Sequence, residues 1–117
     1  MAGSSTIYVR SQKQNMSGTQ NPFNYQYETV AASQTAQVLG GTGAVGDNLH
    51  RIIVNVTTTL TSAFSILDGA TTILTVANSI LATGVYSIEF NAASQSGAWK
   101  VTTGAGVTVI GIGKFTQ

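Results

Sequence analysis

From residue 28 onward, short runs of β-branched and aromatic residues alternate with turn signals at intervals of about ten residues. The turn signals are rich in glycine, asparagine and aspartate, and they read GGTGAVGDN, DG, ATG, NAASQSG and TGAG. The threonine and β-branched content of the runs between them favours strands throughout. About seven short strands at this spacing predict an all-β protein, an antiparallel β-sandwich that is either jelly-roll-like or immunoglobulin-like.

Alternation within the runs predicts which side chains face the core. Ile52, Val54 and Val56 share one face of a strand, and we expect that face to be buried. Trp99 and Tyr86 also fall on apolar faces, so we expect them in the core rather than on a sugar-stacking platform. The expected strands span residues 30–39, 49–58, 63–67, 70–76, 85–90, 98–102 and 107–115.

The dipeptide Asp68-Gly69 is the strongest short hairpin signal in the chain. It predicts a tight turn between two neighbouring strands. Residues 74–81 have an alternative interpretation as a short helix, because two leucines and Ala77 recur there at helical spacing.

Residues 38–46 read VLGGTGAVG and contain the G-x-G-x-x-G spacing of a dinucleotide-binding turn. In that kind of site the loop leads into a helix, because pyrophosphate binds to the free N–H groups of the helix N-terminus. Here the loop is followed by β-branched residues over 52–59, which are poor helix formers. We therefore interpret the loop as a corner between strands, with glycines that supply positive φ. The likeness to short-chain dehydrogenases is confined to these nine residues.

Charged residues make up only 8% of the chain, against roughly 25% in an ordinary soluble protein. Serine and threonine together supply about a quarter of the residues. Such short, neutral side chains lose little entropy and little hydration when a neighbour covers them. The composition therefore favours a protein whose surface is largely buried by partners, with a stable secreted or thermophilic β-domain as the alternative.

The titratable residues indicate no catalytic, metal or nucleic-acid site. The net charge is +1 and the basic residues are scattered singly, so we expect no nucleic-acid partner. The chain has no cysteine and one histidine, His50, which we interpret as a surface residue at a strand end rather than a pH-sensitive contact with Asp47 or Arg51. Four scattered carboxylates suggest neither a metal site nor a general acid and base. We expect no enzyme activity, no cofactor and no small-molecule substrate.

One segment, 69–88, is uncharged and long enough to be considered as a membrane span. About half of its residues are threonine, serine, asparagine or glycine, and Asp68 and Glu89 bracket it. Such a segment is too polar for insertion, so we expect no membrane partner. The N-terminal residues MAGSSTIYVR lack the apolar stretch of a secretion signal.

Residues 1–27 differ from the rest in being rich in serine, glutamine and asparagine. Alone, such a segment buries too little surface to offset its own ordering. Its aromatic residues nevertheless alternate at Phe23, Tyr25 and Tyr27, which gives an extended segment one aromatic face. We therefore predict an extended N-terminal arm over 1–27 that becomes ordered against a partner, followed by a sandwich domain over 28–117. A frayed terminus is the alternative.

Several stretches resemble small β-structured virion proteins of tailed bacteriophages, and together they cover roughly residues 35–115. They are GDNLHRIIV (46–54), LDGATTI (67–73) and GVYSIEFNAASQSGAWKVTTGAGVTVIGIGKF (84–115). In that group, small β-sandwich or jelly-roll proteins sit on the capsid exterior as decoration or cement proteins. Others form tail or head–tail connector parts. The resemblance supplies no catalytic residues.

The resemblance implies a structural virion protein, a capsid decoration protein that is assembled in the host cytoplasm and binds the major capsid protein. It also implies a homo-oligomer, a trimer or dimer, that holds the shell together against the pressure of packed DNA. The alternatives are a tail, connector or fibre-base component of the same kind of particle and, more distantly, a carbohydrate-binding β-sandwich. The residues expected to anchor the arm on its partner are Tyr8, Arg10, Lys13, Phe23, Tyr25 and Tyr27.

Overall fold

A computed structural model of the chain describes residues 24–58, 63–77 and 79–117. In these ranges the protein forms eight strands and no helix. The predicted all-β fold is confirmed, with eight strands in the described ranges where about seven were expected. In chain order the strands are β1 (Gln26–Val30), β2 (Gln37–Val38), β3 (Asn48–Val56), β4 (Phe64–Asp68), β5 (Thr71–Val76), β6 (Gly84–Ala93), β7 (Trp99–Thr102) and β8 (Val107–Lys114).

The strands form two antiparallel sheets of four strands each. The first sheet has the order β1-β8-β3-β6, and the second has the order β2-β7-β4-β5. The chain therefore pairs in a nested manner, β1 with β8, β2 with β7, β3 with β6, and β4 with β5. Nested pairing of eight strands across two sheets is the topology of a jelly roll, and it differs from the seven-strand arrangement of the immunoglobulin fold.

The core lies between the inner faces of the two sheets and is built from alternate residues of the strands. In β3, Ile52, Val54 and Val56 are buried and Asn55 is exposed, as the alternation predicts. Trp99 in β7 is also buried, with 3% of its surface exposed. The buried hydrophobic residues are Val30, Leu39, Leu49, Ile52, Val54, Val56, Phe64, Ile66, Trp99, Val101, Val107, Val109 and Phe115.

Strand β6 lies at one edge of the first sheet, and its inner face is less completely covered than that of β3. Tyr86, Ile88 and Phe90 are half-buried and pack against the core, while the residues between them are exposed. The ring of Phe90 meets that of Trp99 edge-on, with centroids 5.9 Å apart. The predicted faces of this strand are therefore confirmed, with Tyr86 at the margin of the core.

The segment 30–39, expected to be one strand, is instead two short strands joined by a turn. The strand β1 ends at Val30, and β2 comprises only Gln37–Val38. Between them Ser33 has a φ of 62°, which an extended strand does not allow. At its other end β1 begins at Gln26, two residues before the predicted start of the sandwich. The aromatic alternation that ends at Tyr27 leads into this strand, whereas residues 31–37 are small or polar and show no strand alternation.

Strands β4 and β5 form the hairpin predicted at Asp68 and Gly69, with Gly69 and Ala70 as the turn residues. Gly69 has a φ of 59°, which glycine adopts without steric cost. The alternative interpretation of residues 74–81 as a helix is wrong for residues 74–76, because they belong to strand β5.

The carboxylate of Asp68 connects this hairpin to the loop between β6 and β7 through hydrogen bonds. It accepts hydrogen bonds from the backbone N–H groups of Gln95 at 2.8 Å, Ser96 at 3.0 Å and Gly97 at 3.2 Å. Burial raises the pKa of Asp68, but the three N–H donors outweigh it and hold the pKa below its ordinary value. The ionised side chain therefore positions a loop that no strand pairing holds.

The first sheet contains an irregularity at His50. Between Leu49 and Arg51, β8 has no additional residue, β3 has His50, and β6 has two residues, Phe90 and Asn91. Extra residues of this kind bend strands and increase the local twist of a sheet. The irregularity also places His50 beside Asn91 on the outer side of the sheet.

Candidate interaction surface

The glycine loop between β2 and β3 is a corner held by the C-terminus of the chain. Every backbone N–H from Gly40 to Ala44 donates a hydrogen bond within the protein. The acceptors include the carbonyl of Thr116 and the side chain of Gln117. A strand rather than a helix follows the loop. The predicted corner is confirmed, because the chain itself occupies the N–H groups that a phosphate would need.

Asp47 is the buried centre of this corner. Its Oδ2 accepts N–H bonds from Ala44 at 3.0 Å and from Thr116 at 2.9 Å, and its Oδ1 accepts the hydroxyl of Thr116 at 2.7 Å. Its backbone carbonyl accepts the indole N–H of Trp99 at 2.9 Å. Because both carboxylate oxygens are engaged by the chain, Asp47 holds the corner together. An open cleft of about 390 Å³ beside it is lined by Gln26, Gly46, Asp47, Asn48, Lys114, Phe115 and Thr116.

His50 has partners that the sequence did not suggest. The ring of Tyr25 stacks on the imidazole with centroids 4.6 Å apart and planes 21° apart. The imidazole Nδ1 lies 2.6 Å from Oδ1 of Asn91. His50 lies near the start of β3 on the outer side of the sheet, as expected, and Tyr25 and Asn91 contact it from two sides.

The residues predicted to anchor the N-terminal arm divide into two groups. Tyr25 is half-buried against His50, and Tyr27 lies in β1 with 73% of its surface exposed. Tyr27 thus belongs to the first sheet, and Tyr25 lies directly before strand β1 of that sheet. The others lie outside the described residues, and they are Tyr8, Arg10, Lys13 and Phe23.

Tyr27 is part of an apolar surface on the outer side of the first sheet. Tyr27 lies opposite Ile112 in β8, and Ile110 of the same strand lies opposite Ile53 in β3. Side chains that are directly opposite on one face have Cβ atoms about 5 Å apart, so each pair is in contact. We call these four residues, Tyr27, Ile53, Ile110 and Ile112, the isoleucine face.

The sequence of strands β8 and β3 contains a signal for the isoleucine face. Strand β8 reads VTVIGIGK, in which apolar residues occupy both faces from Val109 to Ile112. Near-continuous apolar runs are typical of strands that are covered on both sides, whereas one-sided burial gives strict alternation. Ile53 likewise interrupts the polar side of β3, between Arg51 and Asn55.

The outer side of the second sheet has a different character. Ser65 in β4 lies opposite both Thr75 in β5 and Thr102 in β7. The hydroxyl oxygens of Ser65 and Thr75 are 3.3 Å apart, and the hydroxyl of Thr102 accepts the backbone N–H of Ala36 at 2.9 Å. We call Ser65, Thr75 and Thr102 the hydroxyl face.

Comparison of the chain with protein-family models, with curated proteins and with solved structures finds no match. Within residues 24–58, 63–77 and 79–117, no three histidine, aspartate or glutamate side chains are grouped so that they could hold a metal ion. The same part of the chain contains no helix that is long and apolar enough to cross a membrane.

Proposed function

We propose that this protein is a structural virion protein of a tailed phage, a decoration or cement protein that binds the major capsid protein at subunit junctions. The observation that carries the proposal is a jelly roll that exposes large apolar side chains on a surface with few charges. Jelly rolls are found in viral capsid and lectin domains. Since a fold by itself assigns no function, the surface has to supply the argument.

Exposed apolar residues occur at several places on the described surface. Large side chains with about half or more of their surface exposed are Tyr27, Val45, Ile73, Ile80 and Val85. The single salt bridge that the described residues form, Arg51 to Glu89 at 4.0 Å, lies on the outer side of the first sheet. A partner that covers such a surface removes apolar area from water and desolvates few ions.

Strand β5 lies at an edge of the second sheet and β6 at an edge of the first, and their unpaired sides, called here the β5–β6 edge, are the best candidates for contact with a neighbouring subunit. Among the described residues each of these strands pairs on one side only, so the other side presents backbone N–H and C=O groups. Ile73 in β5 and Val85 in β6 are exposed there, at 49% and 70%. An extended segment of the shell or of a sister subunit can add to such an edge by β-augmentation.

The arm supplies a second point of attachment in this proposal. A subunit that is anchored both by its edge and by Tyr8, Arg10 and Lys13 gains avidity, because the second contact forms within an already bound complex. A homo-oligomer multiplies the effect. Any truncation that tests the arm must stop at residue 23, since Gln26 and Tyr27 pair with β8.

Quantitative mass spectrometry of purified particles tests the proposal. A decoration protein that covers a shell is expected in on the order of a hundred copies or more, whereas a tail or connector ring of closed symmetry has on the order of ten. The first result supports the capsid position, and the second favours the tail, connector or fibre-base alternative. Absence from the particles contradicts both.

A pair of substitutions tests the β5–β6 edge as the shell contact. Val85→Asp places a charge on this edge, and Val45→Asp places the same charge in the glycine corner, where Val45 is similarly exposed at 62%. We expect Val85→Asp to lower shell occupancy about tenfold or more and Val45→Asp to leave it unchanged. Equal effects of the two variants contradict the assignment of the edge.

The carbohydrate-binding alternative depends on an aromatic ring that a sugar can reach. Trp99 is buried and its indole N–H is bonded to Asp47, so it is a core residue as predicted. Among the described aromatic residues, Tyr27 is the one with a largely exposed ring. Glycan-array binding that is lost in a folded Tyr27→Ala variant would favour this alternative over the virion proposal.

A further inference from the structure

The isoleucine face is an apolar surface on the side of a sheet where antiparallel sandwiches normally carry polar residues. Its isoleucines are half-buried and Tyr27 is largely exposed. Such a surface is stabilised when a further layer removes it from water. The question is which part of the molecule or of a partner supplies that layer.

The chain enters the first sheet on this same side. Tyr25 precedes β1, yet its ring stacks on His50 in β3, so it reaches across the intervening strand β8. Directly before it, Asn24 has a φ of 56°, in the left-handed region that interrupts an extended course. The backbone therefore changes direction at Asn24, and the first side chain after that turn lies across the outer surface of the sheet.

The length and composition of the preceding chain fit the face. Strands are spaced about 4.8 Å apart and an extended chain covers roughly 3.3 Å per residue, so about six residues can cross the whole sheet. The residues nearest the turn, 14–23, read QNMSGTQNPF and contain no charge. Met16 and Phe23 are the large apolar side chains among them. A segment of this kind brings no charge of its own that would have to be desolvated.

We propose that residues 14–23 dock on the isoleucine face of their own chain, with Met16 and Phe23 as the apolar contacts. The docked segment forms an outer layer over the first sheet. This inference does not rest on the proposed function, because it concerns the single subunit, with or without a virion.

Paired cysteine substitutions in the full chain test the docking directly, because the natural chain contains no cysteine. The test variant combines Gln20→Cys in the segment with Ile53→Cys on the isoleucine face. The matched control combines Gln20→Cys with Leu67→Cys, which is also half-buried but lies on the outer side of the second sheet. Under mild oxidation we expect the test pair to form an intramolecular disulfide about tenfold faster than the control pair, at a rate independent of protein concentration.

Two outcomes would overturn the proposal. Equal rates for the two pairs mean that the segment has no preference for the isoleucine face. Disulfide-linked dimers whose yield rises with protein concentration mean that a second copy, and not the same chain, supplies the segment. If circular dichroism shows that Ile53→Cys disturbs folding, Thr29→Cys takes its place with the same expectations, because Thr29 is exposed and lies opposite Ile110.

Discussion

The two sheets enclose one core, but they carry different kinds of side chain on their outer sides. On the hydroxyl face, Ser65 bonds to Thr75 and Thr102 accepts a backbone N–H, and the half-buried Leu67 lies on the same outer side. The isoleucine face instead presents two apolar cross-strand pairs. The two outer sides therefore differ in their cross-strand pairs, which are hydroxyl-bearing on one sheet and apolar on the other. The predictions below act on this difference, from the largest effect to the smallest.

The largest effect on stability is expected from a substitution in the core that the two sheets share. Trp99 packs on Phe90 and donates to Asp47, so Trp99→Ala is expected to lower the free energy of unfolding by about 3–5 kcal/mol. Urea unfolding followed by circular dichroism measures the loss. The surface variant Tyr27→Ala serves as the control and should cost less than about 1 kcal/mol. A loss at Trp99 as small as that of the control would mean that the sheets do not share one core.

The sheet with the hydroxyl face should be the more acid-sensitive of the two, because it contains Asp68. With its pKa lowered by three backbone donors, Asp68 stabilises the fold above the ordinary aspartate pKa of about 3.9 and loses this contribution as the pH falls through the lowered value. Asp68→Asn should cost about 2–3 kcal/mol at neutral pH.

Urea midpoints measured at neutral pH and in acid check this prediction. The cost of Asp68→Asn should shrink as the pH falls, because the wild-type side chain then also becomes neutral. Glu89→Gln serves as the control. A cost of Asp68→Asn that is the same at both pH values would contradict the role given to the carboxylate.

A double-mutant cycle sharpens the comparison between the faces. If residues 14–23 cover the isoleucine face, Ile110→Thr should cost more in the full chain than in a chain that begins at residue 24, by about 1 kcal/mol. Leu67→Thr on the second sheet should cost the same in both chains. Equal coupling energies for the two substitutions, measured by urea unfolding, would remove the distinction.

The salt bridge on the first sheet should make the smallest contribution to the free energy of unfolding. Arg51 and Glu89 are 4.0 Å apart, and both side chains are more than a third exposed. Glu89→Gln is therefore expected to change the free energy of unfolding by less than about 0.5 kcal/mol. Thermal unfolding at low and high salt provides the measurement. A loss several times larger would show that charge, and not apolar contact, distinguishes this side of the molecule.

Local patterns in the sequence predicted the strands and their faces, because alternation depends on neighbouring residues. The buried side of β3 and the position of Trp99 follow directly from it. Strand order did not follow, since it depends on pairs such as Val30 with Val109 that are far apart in the chain. The choice of a jelly roll over an immunoglobulin-like sandwich therefore required coordinates.

The candidate surface was only partly predictable for the same reason. Tyr25 and Tyr27 were singled out by their aromatic character, but their partners His50 and Ile112 come from strands that are distant in sequence. The role of Asp47 was also hidden, because its hydrogen-bond donors include Thr116 at the C-terminus. Sequence patterns identify apolar and aromatic side chains that can form contacts. The strand topology determines which of them are neighbours.

The most direct measurement compares the accessibility of the two outer faces in the full-length protein. Single-cysteine variants Ile53→Cys and Leu67→Cys, both at half-buried outer positions, are alkylated with the same thiol reagent under native conditions. The account predicts that the cysteine on the isoleucine face reacts about tenfold more slowly, because a further layer shields it. Equal rates at the two positions would contradict the proposal that residues 14–23 cover the isoleucine face.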